Sequence, residues 1–162
     1  MAIKIWLRRT QAAKFAAAIV FAILMLSVST AAVPQPKSNS TNEAAIRAVL
    51  EAQAAAWNRG DIDGYMDGYD RSPKTEFVGG DSITRGWQEV LDRYKKRYDS
   101  REKMGTLTFS DLEIQMLGSK AALVLGRWRL KRANDEPHGT FTLLFRKTKS
   151  GWKIVHDHTS SA

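Results

Sequence analysis

Two histidines, His156 and His158, stand two residues apart in the run Gly151-Trp152-Lys153-Ile154-Val155-His156-Asp157-His158-Thr159-Ser160. Imidazole titrates near neutral pH, so such a pair can take up or release a proton, or hydrogen-bond a ligand carbonyl or carboxylate. The run alternates as a strand does and opens on a glycine. Side chains two apart share a face. Strict alternation therefore places Trp152, Ile154, His156, His158 and Ser160 together, and Lys153, Val155, Asp157 and Thr159 opposite them. The first face passes from apolar to two imidazoles and a hydroxyl, as a core opening into a polar pocket would. On that parity His156 and His158 are the candidate catalytic or ligand-contacting groups, and Asp157 is a surface or interface carboxylate. The plainer alternative is two structural histidines held by neighbours. A metal site needs a third ligand, and only His138, in a turn, remains among the histidines. No metal and no cofactor are expected.

The elements that must position these residues follow from the upstream pattern. Ser40-Thr41-Asn42-Glu43 fits a capping box, and Ile46, Val49, Leu50, Gln53, Ala54 and Trp57 then recur at helical spacing. Gly60 ends that helix and Asp61 caps a second, with Ile62, Tyr65, Met66 and Tyr69 on one stripe. Gly79-Gly80-Asp81 marks a hairpin. A third helix carries Trp87, Val90, Leu91, Tyr94 and Tyr98 inward. From Met104 the period becomes two, giving four strands, the first with a bulge expected near Asp111 where parity slips. Helices first and strands later predict an α+β fold, three helices on one face of a curved antiparallel sheet. The third of these strands has bulk on both faces, Phe141, Leu143 and Phe145 against Thr142 and Leu144. A two-fold partner subunit is the simplest cover for the second face.

Within this frame Trp57, Tyr65, Tyr69, Trp87 and Trp128 are candidate pocket walls, although core packing is the ordinary role of such aromatics. Buried Tyr65 and Tyr69 hydroxyls need partners, so they can also meet a ligand. Arg127 and Arg129 are read as pointing outward. The run Arg93, Lys95, Lys96, Arg97 is read as a solvated helix face. The stretch Asp61-Ile62-Asp63-Gly64 lacks the later glycine and terminal glutamate of a calcium loop.

The chain has 162 residues, no cysteine and a formal charge of +8. Disulfides and thiolate metal sites are thereby excluded. Lys4, Arg8, Arg9 and Lys14 fall in the first 32 residues, where no acid occurs, and the rest carries +4. That residual charge, without interleaved basic and aromatic residues, does not describe a nucleic-acid module. Residues 1–32 have the basic, apolar and small-residue layout of a secretory signal. Export to the periplasm or medium follows, with an uncleaved membrane anchor as the alternative. The membrane is otherwise not an expected partner. Residues 33–39 read as a linker and 40–162 as the folded domain.

Several runs together resemble a known family. They are Ala56-Trp57-Asn58-Arg59-Gly60-Asp61, the Gly79-Gly80 hairpin, Arg85-Gly86, Gly126-Arg127-Trp128-Arg129-Leu130, Gly139-Thr140-Phe141-Thr142-Leu143 and the terminal Gly151–Ser160 run. The chain, from about Ala44 to Ser160, is similar to the NTF2-like (cystatin-like cone) superfamily, in its SnoaL-like and domain-of-unknown-function-4440 (DUF4440) branch. The resemblance implies a homodimer whose subunits each enclose a pocket between helices and sheet. The superfamily holds isomerases, cyclases, dehydratases and non-catalytic modules, so the fold does not choose among them. Several of its isomerases use an aspartate or a tyrosine pair within the cone. Here no acid is expected on a pocket-facing strand position.

No phosphate loop, nucleophile elbow or HExxH motif occurs. Three readings remain. The first is an exported dimeric protein that binds a small apolar/polar ligand in a hydrophobic cone whose polar end is made by His156, His158 and tyrosine hydroxyls. The second is an isomerase, cyclase or hydrolase with His156 or His158 as general base and Tyr65 or Tyr69 as proton donor. The third is an association module whose cone is only core.

Overall fold

The computed structural model describes residues 37–162. The expected signal segment and the first part of the linker lie outside the described residues. Helix α1 runs Lys37–Asn58, so it takes in the end of the expected linker, and Ser40 sits within the helix rather than at its cap. Its inner stripe is the one the spacing predicts: Ile46, Leu50, Gln53 and Trp57 are buried. Gly60 turns the chain with φ of 88°. Asp61 then caps α2 (Ile62–Met66) by accepting the Gly64 N–H at 2.7 Å.

Strands β1 (Glu76–Gly79) and β2 (Ser82–Arg85) form the hairpin, followed by α3 (Trp87–Arg97) and a short α4 (Arg101–Met104). The fourth helix was not expected; Ser100 caps it through the Lys103 N–H. Then come β3 (Thr106–Met116), β4 (Ala121–Lys131), β5 (His138–Thr148) and β6 (Gly151–Thr159). The β3–β4 register slips between Ser110 and Glu113, and Asp111 has φ of 51°, which is the bulge the sequence predicts.

The last four strands form an antiparallel meander, and the β1–β2 hairpin extends the sheet beyond it. The six strands lie in the order β2-β1-β6-β5-β4-β3, and β1 runs parallel to β6. The sheet is therefore mixed rather than wholly antiparallel, because the hairpin returns to the sheet edge along β6. The helices cover one face. Between them and the sheet lies a core of Ile46, Leu50, Val90, Val124, Phe145 and Ile154, each almost wholly removed from solvent. Asn58 fastens α1 to β3, donating to the Leu107 carbonyl at 3.0 Å and accepting the Leu107 N–H at 2.7 Å. Among the described residues no helix is long and apolar enough to cross a membrane.

Candidate active site

The parity of β6 decides the chemistry of the cone, and it departs from strict alternation. Phe145 of β5 pairs with Ile154, and the next β5 residue inward, Leu144, pairs with His156. Val155 has no partner in that register, so two successive β6 residues oppose a gap of one on β5. An extra residue of this kind shifts every later side chain to the other face. The bulge sits where β6 changes neighbours. Ile154 receives the Asp70 N–H on its carbonyl at 2.8 Å and donates its own N–H to the Gly68 carbonyl at 2.9 Å, and from His156 onward the neighbour is β1.

The result reverses the expected assignment. Asp157 is buried, 3% exposed, and lines the cavity beside Thr159. His156 and His158 face the other way. His156 is half-buried, with its Nδ1 3.1 Å from Glu76 Oε2, and Glu76 also accepts from Arg85 at 2.9 Å. His158 is exposed. Neither imidazole lines the cavity.

The cavity has a volume of about 320 Å3, and its solvent-exposed lining residues, Gly80 in the β1–β2 turn, Arg97 of α3 and Ser161, mark its mouth. Such a volume is that of a small-molecule site. Phe77, Leu107, Phe109, Leu130, Phe141 and Leu143 make its apolar wall. Of the aromatics singled out in the sequence, Trp57, Tyr65, Tyr69 and Trp128 line it. Trp87 does not: its indole N–H is donated to the Met66 carbonyl at 3.1 Å, and the Arg71 guanidinium covers its ring at 4.6 Å. Trp57 and Trp128 have their N–H groups satisfied outside the cavity, by the Met104 and Ser160 carbonyls. They present carbon to a ligand and no donor.

Polar chemistry is concentrated at Asp157. Tyr69 donates its hydroxyl to Asp157 Oδ2 at 2.6 Å, and Thr159 donates to Oδ1 at 2.7 Å. Each carboxylate oxygen accepts one bond and retains a lone pair. Burial pushes the Asp157 carboxyl above the usual aspartate range, although the two hydroxyl donors pull against it. Tyr65 and Tyr94 bring their hydroxyls within 3.5 Å of each other. Burial first, and then charge repulsion from Asp157 for Tyr65 and from the Tyr65 phenol oxygen for Tyr94, push both phenols up, so both are neutral donors at pH 7. Tyr69 is raised for the same reasons, burial and then Asp157.

Sequence reasoning missed Asp157 and Tyr94 as cavity groups. The helical stripe of α3 turns Tyr94 inward, but its spacing carries no sign that the hydroxyl meets Tyr65 in the cavity. For Asp157 the only local signal was the second polar residue, Thr159, two places on. Arg127 and Arg129 do face outward, paired with Asp111 at 3.1 Å and Glu136 at 3.3 Å. Among the described residues no three histidine, aspartate or glutamate side chains gather as a metal site would require.

A carboxylate and neutral phenols inside a cone of helices on a curved sheet define a class, and comparison with known proteins gives the family. The model of the SnoaL-like domain matches residues 46–162, and the chain belongs to that family. Its fold is the NTF2-like, or cystatin-like, fold. An NTF-2-like protein of unknown function from Shewanella oneidensis MR-1 is 44% identical over 73% of this chain and 98% of that one, with a TM-score of 0.70. An NTF2-like superfamily protein from Salmonella enterica serovar Typhimurium LT2 is 22% identical over 75% of this chain and 92% of its own, with a TM-score of 0.63. A ketosteroid isomerase-like protein from Erwinia carotovora atroseptica is 20% identical over 73% and 94%, with a TM-score of 0.59. These last two likenesses are of fold alone. No curated protein matches the chain at a significant level.

Proposed function

We propose that this protein binds a small, mainly apolar molecule in the cone and moves a proton on it, with Asp157 as the base. The observation that carries the reading is the buried Asp157 carboxylate, held between Tyr69 and Thr159 at the wall of a cavity of about 320 Å3. A carboxylate whose proton affinity is raised by burial is a better base than a free aspartate. The neutral Tyr65 and Tyr94 hydroxyls would donate to oxygen as negative charge develops on it. A proton taken from carbon next to a carbonyl, and returned elsewhere, is the reaction these parts suit. Isomerase-type chemistry is thus favoured with Asp157, and not His156 or His158, in the basic role. Simple binding without turnover uses the same cavity and is the second reading.

The test is solvent-deuterium exchange into 2-tetralone, a small apolar ketone, followed by proton NMR. The wild-type protein should speed exchange of the α-protons by about 100-fold or more over buffer, the usual scale of a positioned base. Asp157→Asn should lose that gain while still binding the ketone. Binding with no exchange in the wild type leaves the cavity a carrier site. Absence of binding overturns both readings.

The protein acts, in this proposal, as an exported homodimer. Export rests on the layout of residues 1–32. Dimerisation rests on the outer face of the sheet, where Leu125 is 45% exposed and the paired Leu123 and Leu144 are half-buried beside it. An apolar patch on an otherwise wet sheet face suits a two-fold contact. Assignment to the DUF4440 branch rests on the motifs quoted above.

A further inference from the structure

The cavity mouth holds two cations that the acid–base reading does not use. Arg93 and Arg97 lie four apart on α3, hence on one side of the helix, and both line the cavity. Arg93 is half-buried, its guanidinium 5.1 Å from the Phe77 ring, and that of Arg97 is 5.8 Å from the Tyr98 ring. Neither has a carboxylate or carbonyl partner among the described residues. Nearby cations are matched: Arg85 by Glu76, Lys95 by Asp63 and Arg59 by Asp61. Gly79 and Gly80 also line the cavity and bring no side chain to it. A Cβ added at Gly79 would stand 3.6 Å from Arg93 Nη2, so the glycine leaves that side of the guanidinium uncovered.

A guanidinium laid over an aromatic ring at the rim of an apolar cavity keeps its N–H edge for a ligand. With two such edges together, the complementary group is an anion, and a planar carboxylate matches the fork best. The apolar wall between the mouth and Asp157 calls for a hydrocarbon body. We infer that the ligand of this cone is an amphiphilic carboxylate, its acid group on Arg93 and Arg97 and its apolar body along Phe77, Phe109 and Leu130. The inference rests on the cavity being a ligand site, as proposed above, and adds the chemical class of what enters it. The cationic run of α3 is therefore divided: Lys95, Lys96 and Arg97 are all solvent-exposed, but of these only Arg97 lines the cavity, together with the half-buried Arg93.

Titration calorimetry with octanoate and its neutral isostere octanamide tests this on the full chain. Octanoate should bind about tenfold or more tightly than octanamide, as a charge-assisted pair warrants, and the difference should shrink in high salt. The Arg93→Gln/Arg97→Gln variant should bind both probes alike, and Arg93→Lys should keep part of the preference. A thermal melt like that of the wild type confirms that the double variant folds. Equal affinities in the wild type, or a preference that survives the double variant, overturns the anion site and leaves the apolar cavity standing. Binding of neither probe sinks the cavity reading together with this one.

Discussion

At the scale of single residues, the protein turns on an aspartate that folding makes less acidic. Because burial raises the Asp157 pKa above its unfolded value, the fold favours the protonated form. Its contribution to stability is then full below about pH 4 and is lost as pH rises through the folded-state value. Asparagine imitates the neutral form in size and hydrogen bonding. Asp157→Asn should therefore melt higher than the wild type at pH 7, with the gap closing as pH falls towards 4. Equal melting temperatures across that range would show that the carboxylate is not strained by its burial. Tyr69→Phe acts in the opposite direction. It removes the 2.6 Å bond to Oδ2 and leaves a buried charge with one donor fewer. A loss of about 2 kcal/mol at pH 7 is expected from denaturant unfolding, with a smaller loss at pH 4.

At the scale of elements, two connections place residues of the cavity wall. One is the bulge at Val155, which turns Asp157 inward. The other is Asn58, which satisfies both backbone groups of Leu107 and so ties the end of α1 to the edge strand β3. Leu107 is 6% exposed, and water reaches its backbone poorly. Asn58→Ala should cost about 2–3 kcal/mol, since it strands a buried N–H and a carbonyl at once. Hydrogen exchange should show the loss first at β3, where the Leu107 amide would become labile. A uniform change across the sheet would mean that Asn58 acts on overall stability and not on this junction.

At the scale of the whole molecule, the two faces of the one sheet differ in what they carry. The inner face, with Phe141, Leu143 and Asp157, closes the cavity. The outer face bears Leu123, Leu125 and Leu144, together with the ion pairs of Arg127 and Arg129. A dimer formed through that face would leave each cavity with its own mouth, lined by its own α3. Leu125→Glu should shift the protein from dimer to monomer in sedimentation while leaving octanoate affinity within about twofold, because the substituted side chain lies on the face of the sheet opposite the cavity-lining Phe141 and Leu143. A wild type that sediments as a monomer at micromolar concentration would refute the assembly.

The amino-acid sequence by itself determined the elements and their class. The helical spacing of Ile46, Leu50, Gln53 and Trp57 is local, and so is the period-two pattern from Met104 onward. The slip near Asp111 was also legible, because apolar parity breaks within the strand itself. The slip at Val155 was not. Ile154, Val155 and His156 read as an unbroken alternation, and nothing within the run distinguishes an inward His156 from an inward Asp157. The choice was made by partners far along the chain. Gly68–Asp70 claims both backbone groups of Ile154, β1 takes over at His156, and β5 pairs past Val155 without answering it. A strand's face alternates with every residue, so one unpaired residue, specified only by its neighbours in the sheet, exchanged the two imidazoles for a carboxylate at the site.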